Sequence, residues 1–171
     1  MHGDVRVAAD ERIALPPRVL TAIRAPTALG GLSAMPELPK TPLGQSDLLV
    51  NMTGQPNIGS ELRAELATAT HVDLICAFVI MSGVAHLREP IRELIDRGGR
   101  LRVITTTYMG ATKREAVDAL VELGAEVKVA LDGQTTKLHA KAWLLERPAG
   151  MTTAFIGSSN LSHTALFDGL E

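Results

Sequence analysis

The sequence predicts an α/β domain built on a mixed, mostly parallel sheet with helices on both faces, preceded by an extended proline-rich arm. Three observations carry that expectation. Beyond residue 58, apolar β-branched runs alternate with helical stripes in the order β-α-β-α-β. Two further strand-like runs follow with only a short connection between them, and seven of the nine prolines fall before residue 57. At 171 residues, 46% of them hydrophobic, the chain is long enough to build one core without disulfide or metal staples.

Pro16, Pro17, Pro26, Pro36, Pro39, Pro42 and Pro56, mixed with Gly30-Gly31, leave no sustained apolar period, so residues 1–58 are expected to form an extended arm or linker and residues 59–171 the domain. Leu62, Leu66 and Ala69 then recur at helical spacing. The run Val72 to Ile80 is too uniformly apolar for a half-exposed strand and reads as a strand covered on both faces. Leu87, Ile91, Leu94 and Ile95 make a helical stripe closed by Gly98-Gly99, with Pro90 expected to start or kink it. Leu101 to Thr106 is β-branched and predicts the second strand. Thr112-Lys113-Arg114-Glu115 has the form of a capping box opening a helix through Val117, Leu120 and Val121 that stops at Gly124. Glu126 to Leu131 predicts a third strand. Leu138 to Leu145 and Thr152 to Ile156 are separated by Glu146 to Met151 alone, too short for a crossover helix, so they are expected to pair as a hairpin and make the sheet mixed.

Composition narrows the function. A net charge of −2 excludes a polycation that holds nucleic acid by bulk charge, and 3% aromatic residues argue against an aromatic base-reading module. No secretory leader and no apolar stretch of about 18 residues is present, which predicts a cytoplasmic protein without a membrane partner. The single cysteine, Cys76, lies in an apolar run and is expected to be a buried structural thiol. His2, His71, His86 and His163 show no zinc spacing, so neither a metal nor another cofactor is expected. Gly30-Gly31 and Gly54 to Gly59 lack the Gly-Lys-Ser/Thr of a P-loop.

The chemistry is expected from the final hairpin. In Leu138-His139-Ala140-Lys141-Ala142-Trp143-Leu144-Leu145 the set Leu138, Ala140, Ala142 and Leu144 forms an apolar face, which puts His139 and Lys141 together on the other. The same alternation pairs Ser158 with Asn160 in Gly157-Ser158-Ser159-Asn160. An imidazole, an ammonium, a hydroxyl and a carboxamide at one sheet end suit a phosphate, with the lysine as point charge, Ser and Asn as neutral donors and the histidine as nucleophile or proton carrier.

His139-x-Lys141, four residues, Glu146, and then Gly157-Ser158-x-Asn160 resembles the His-Lys-Asp motif of the phospholipase D superfamily, over about Ser60 to Glu171. The order of elements is more particularly similar to the phospholipase D-like module at the N-terminus of some bacterial DEAD/DEAH-type helicases and in certain restriction endonucleases. Glu146 stands where that family usually has Asp. The resemblance implies attack by the histidine on phosphorus to give a phosphohistidine, Lys and Asn as phosphate clamps, a partner histidine that protonates the leaving oxygen, and no metal. Glu171 is at the distance from Asn160 at which family nucleases place a carboxylate that bonds the nucleophilic imidazole, and an imidazole attacking through one nitrogen needs an acceptor on the other.

The expected function is therefore a metal-independent phosphodiesterase acting on nucleic acid, DNA in particular, with His139, Lys141, Asn160, Ser158, Glu171 and Glu146 as its site residues. The alternative is a non-catalytic nucleic-acid-binding or targeting module serving helicase domains in cis beyond residue 171, because the last residues run straight out of the motif. Phospholipid headgroup chemistry is a third reading that lacks an amphipathic helix or aromatic anchors. One His-x-Lys motif supplies only half of a double displacement, so a homodimer sharing one active site is expected, with its interface near Ser158 to Leu166.

Overall fold

The computed structural model describes residues 24, 26–35, 38–40, 46–52, 54–131 and 137–168. Most of the predicted arm, including residues 1–23, lies outside them. Of the described part, Lys40 pairs with Glu61 at 2.5 Å, and Asn51, at φ 49°, donates to the carbonyl of Ala165 at 2.9 Å, so residues 40 and 51 are tied to the domain.

The elements are α1 (Ile58–Leu66), β1 (His71–Cys76), α2 (Met81–Asp96), β2 (Arg100–Thr106), α3 (Arg114–Glu122), β3 (Glu126–Ala130), β4 (Lys141–Glu146) and β5 (Thr153–Ile156). They build a five-stranded sheet in the order β3-β2-β1-β4-β5, parallel across β1, β2 and β3 and antiparallel across β1-β4 and β4-β5. The expected fold class, a mixed α/β sheet flanked by helices, is the one observed, hairpin included.

Both crossovers step the same way along the sheet, so right-handed connections put α2 and α3 on one face, where α1 joins α2. The core lies there: Val72, Leu74 and Cys76 of β1 and Leu101 and Val103 of β2 meet Leu62, Leu66, Leu87, Ile91, Leu94 and Leu120. On the other face no described helix is found. It carries Asp73, Ile75, Arg102, Ile104 and Leu144, with Asp73 and Arg102 joined by two parallel hydrogen bonds and Arg100 and Glu126 by another two. The second helix layer expected from the apolar run at Val72 is thus not among the described residues.

Three local expectations change. β1 ends at Cys76 rather than Ile80; Ala77 and Val79 are apolar because they are buried as loop, with Val79 bridging Leu161. Pro90 does not start its helix: α2 begins at Met81 and the proline lies inside it. A proline there cannot bond the carbonyl four residues back, and the freed oxygen of His86 accepts from the Arg63 guanidinium of α1 at 2.6 Å. The capping box at Thr112 does not form. Its hydroxyl is engaged elsewhere, donating to Ala77 O at 3.2 Å and accepting from Val79 N at 3.3 Å, and α3 starts after Lys113 with no side-chain cap.

The hairpin is fastened to α1 by a buried ion pair. The side chains of Arg147 and Glu65 are both fully buried and hydrogen-bonded to each other. Arg147 also donates to Thr68 Oγ1 at 2.8 Å, Thr153 Oγ1 at 2.9 Å and Leu145 O at 3.2 Å, while Thr153 Oγ1 donates to Glu65 at 3.0 Å. Burial pulls the guanidinium below its ordinary range, and the Glu65 carboxylate acts against that pull. Arg147→Ala leaves Glu65 buried and uncompensated and should cost about 3–5 kcal/mol in urea unfolding, whereas the double change Arg147→Met with Glu65→Leu should recover most of it. An Arg147→Ala protein as stable as the wild type would overturn the role.

Candidate functional site

The β1-β4 register sets Lys141 opposite Cys76, so the first residue of β4 lies at the carboxyl end of β1. Ligands of open α/β sheets bind beside the carboxyl ends of parallel strands where the chain order changes direction, and here β2 leaves β1 on one side while β4 flanks it on the other. β5 runs antiparallel to β4, which returns Gly157 to the same end, its N–H on Lys141 O at 3.2 Å.

His139 and Lys141 do come together. The Lys141 ammonium lies 2.9 and 3.0 Å from the two ring nitrogens of His139 and donates to its carbonyl at 2.9 Å. The expected apolar face is corrected. Lys141, Trp143 and Leu145 point into the core, while Ala140 and Leu144 are exposed, Leu144 by 41%. Bulk decides: the helix layer needs large side chains to fill it, and Trp143 and Leu145 outweigh alanines. Lys141 is on that inward face but at its rim, 7% exposed, and it reaches back to an exposed His139 that precedes the strand and so has no strand face.

Asn160 reaches the same end by folding back. Its Oδ1 accepts from Phe78 N at 3.2 Å and lies 4.0 Å from Cys76 Sγ. Phe78 O in turn accepts from Leu161 N at 3.1 Å, so the loop after β1 and the loop after β5 are stitched together through backbone groups. Cys76, buried as expected of a structural thiol, donates to Phe78 O and accepts from Leu161 N, each at 3.1 Å. Burial pushes its thiol up, opposed by the Leu161 N–H and the charge of Lys141.

The residues after β5 bend, so alternation does not govern them. Ser158 is exposed, while its neighbour Ser159, which the sequence reading passed over, turns its hydroxyl inward with no hydrogen-bond partner among the described residues. Lys141, Gly157, Ser158 and Ser159 line one cleft of about 310 Å3.

Glu146 is not part of this group. It pairs with His71 at the opposite end of β4, five residues and roughly 16 Å from Lys141. Glu171 lies outside the described residues. His163 bonds Asp168 at 2.8 Å and packs on His86 and Phe167 beside α2. Two aromatic residues do reach the site: the Phe78 ring meets His139 edge-on with centroids 6.0 Å apart, and the Tyr108 ring lies 6.3 Å from Phe78.

Gly83 holds α2 against this loop. A Cβ there would lie 2.4 Å from the backbone carbon of Leu161, closer than side chains tolerate. Gly83→Ala is therefore expected to push the Asn160 loop off α2. It should speed thiol labelling of Cys76 and lower stability by about 1–3 kcal/mol; unaltered labelling and stability would contradict the tight seating.

A family model described as "Cardiolipin synthase, PLD-like domain" matches residues 62–171. Among curated proteins, none matches. Among solved structures, the chain is similar to NucT from Helicobacter pylori, at 14% identity and a TM-score of 0.45 over 64% of this chain and 70% of that one. It is also similar to polyphosphate kinase from Porphyromonas gingivalis, at 18% identity and a TM-score of 0.44 over 61% of this chain and 16% of that one. The family match begins within α1 and spans α2, α3, the whole sheet and the loop carrying Asn160, and the chain belongs to the phospholipase D-like domain family.

Proposed function

We propose that this domain is a phosphodiesterase that cuts nucleic acid, with DNA as the expected substrate, by double displacement through His139. The observation that carries the reading is the Lys141 ammonium held at 2.9 and 3.0 Å from the His139 ring nitrogens at the carboxyl end of β1. That pairing supports the reading of His139 as nucleophile and Lys141 as phosphate counter-charge, with the Asn160 carboxamide proposed as a neutral donor.

In the first step an unprotonated ring nitrogen of His139 attacks phosphorus, an N–P bond forms, and the P–O bond to the leaving strand breaks as that oxygen takes a proton from a second imidazole. In the second step water attacks phosphorus, gives its proton to the now neutral second imidazole, and the N–P bond breaks to restore His139. Glu171 is the proposed acceptor that orients the ring; Glu146 has no part in the reaction. The phosphohistidine route asks for no metal.

The second imidazole is proposed to come from a second copy of the chain. Within the expected interface segment, Leu161 and Leu166 belong to the chain's own core. The side chain of Thr164 in this segment is exposed, as is that of Ile156 just before it, which is 83% exposed. In a longer parent protein, the setting we propose is a helicase-type or restriction-type chain in which this domain follows its proline-rich arm.

Wild-type protein should cleave plasmid or single-stranded DNA in EDTA. His139→Ala and Lys141→Ala should each reduce turnover about a hundredfold or more, and His139→Ala, at an exposed residue, should change the melting temperature little. Tight DNA binding with no cleavage, indifferent to His139→Ala, would replace the enzyme reading with that of a binding module. For the shared site, wild-type protein mixed with His139→Ala protein should lose activity in the mixed dimers. A protein that is active and strictly monomeric by sedimentation would overturn the partner imidazole.

A further inference from the structure

The loops around His139 carry an aromatic strip that the phosphodiesterase chemistry does not use. Phe78 and Tyr108 are two of only five aromatic residues in the chain, and the fold brings both to the carboxyl end of the parallel strands. Their rings are half-buried, 6.3 Å apart and 23° from parallel. Phe78 also touches the chemistry from both sides: its ring edge meets His139, and its backbone N–H holds Asn160.

Neither ring is needed to fill the core, where Phe155 and Phe167 pack instead. Tyr108 is presented by a turn in which the next residue, Met109, sits at φ 58° and is 75% exposed. A non-glycine side chain in that backbone region carries a steric cost, and such strain concentrates where geometry serves a ligand. At the outer end of the strip, the Lys137 ammonium lies 5.1 Å from the Tyr108 ring centre. From the reacting histidine outward the order is imidazole, phenyl ring, phenol ring, ammonium.

We infer that Phe78 and Tyr108 form a nucleobase subsite, on which a base next to the scissile phosphate stacks while Lys137 meets the following phosphate. The inference rests on the proposed reading of the domain as a nucleic-acid phosphodiesterase. Every base has a π-face, so the subsite favours single strands, whose bases are free to turn onto the rings, without selecting a sequence. The cation already on Tyr108 argues against a cationic lipid headgroup as the occupant, since a second positive charge would be repelled there. The low aromatic content argues against a base-reading module, but composition counts residues, whereas one stacking subsite needs only two in the right place.

The test compares binding of a thymidine octamer with that of an abasic octamer of the same length, by fluorescence anisotropy at one salt concentration. Wild-type protein should bind the thymidine strand about tenfold more tightly or better. In the Phe78→Leu, Tyr108→Leu double variant the two strands should bind alike, with affinity for the abasic strand and the melting temperature unchanged. Equal binding of the two strands by wild type, or a preference that survives in the double variant, would overturn the stacking subsite and leave the nucleic-acid reading standing. If neither octamer binds while the protein still hydrolyses a base-free phosphodiester, the nucleic-acid reading falls and the subsite falls with it.

Discussion

Across the seam between β1 and β4, Cys76 faces Lys141, and this antiparallel register organises the working end of the molecule. A parallel strand in the same position would bring its own carboxyl end there and carry Lys141 to the far side of the sheet. Because β4 runs the other way, its beginning lies where β1 stops, and a second reversal through the hairpin returns the end of β5 to the same place. Residues 76–78, 139–141 and 157–161 are remote in sequence, and two strand reversals suffice to make them neighbours. Hydrogen bonds from Phe78 and Leu161 then lock the loops that no ladder holds.

The register also needs an anchor at the other end of the hairpin. Buried ion pairs are poor sources of net stability, because removing two charges from water offsets most of their attraction. The Glu65-Arg147 pair has fixed geometry instead. A guanidinium that must reach Thr68, Thr153, Leu145 O and Glu65 at once accepts one position of the hairpin relative to α1, where an apolar contact would accept several. A slip of one residue along β4 would exchange Lys141 for an alanine at the rim.

Much of this architecture was legible because apolar periodicity reports burial, and the parallel strands, the helical stripes and the hairpin all follow from it. The meeting of His139 and Lys141 was also legible, although for an incomplete reason. Alternation in β4 offers two faces of similar apolarity. Four small or aliphatic residues on one side compete with Trp143 and Leu145 on the other, and only the volume of the cavity under the helices decides between them. Asn160 was placed at the correct end, but its folded-back carboxamide depends on Phe78, more than eighty residues away, which no local pattern encodes. Glu146 was misjudged because family spacing says nothing about strand direction, and at about 3.3 Å per residue a strand carries its far end well away from the chemistry. Ser159 escaped because a bend after β5 replaces the twofold alternation that the strand had obeyed.

The thiol at the centre of these loops has a consequence of its own. Cys76 is the only cysteine in the chain, and its sulfur is held by the backbone of both Phe78 and Leu161. An alkylating reagent reaches it only when those two loops separate. The rate of alkylation is therefore a clock for the local opening of the site, read without any engineered label. Its temperature dependence separates breathing of the loops from unfolding of the whole sheet. The cysteine thus serves as a native gauge of how often the site comes apart.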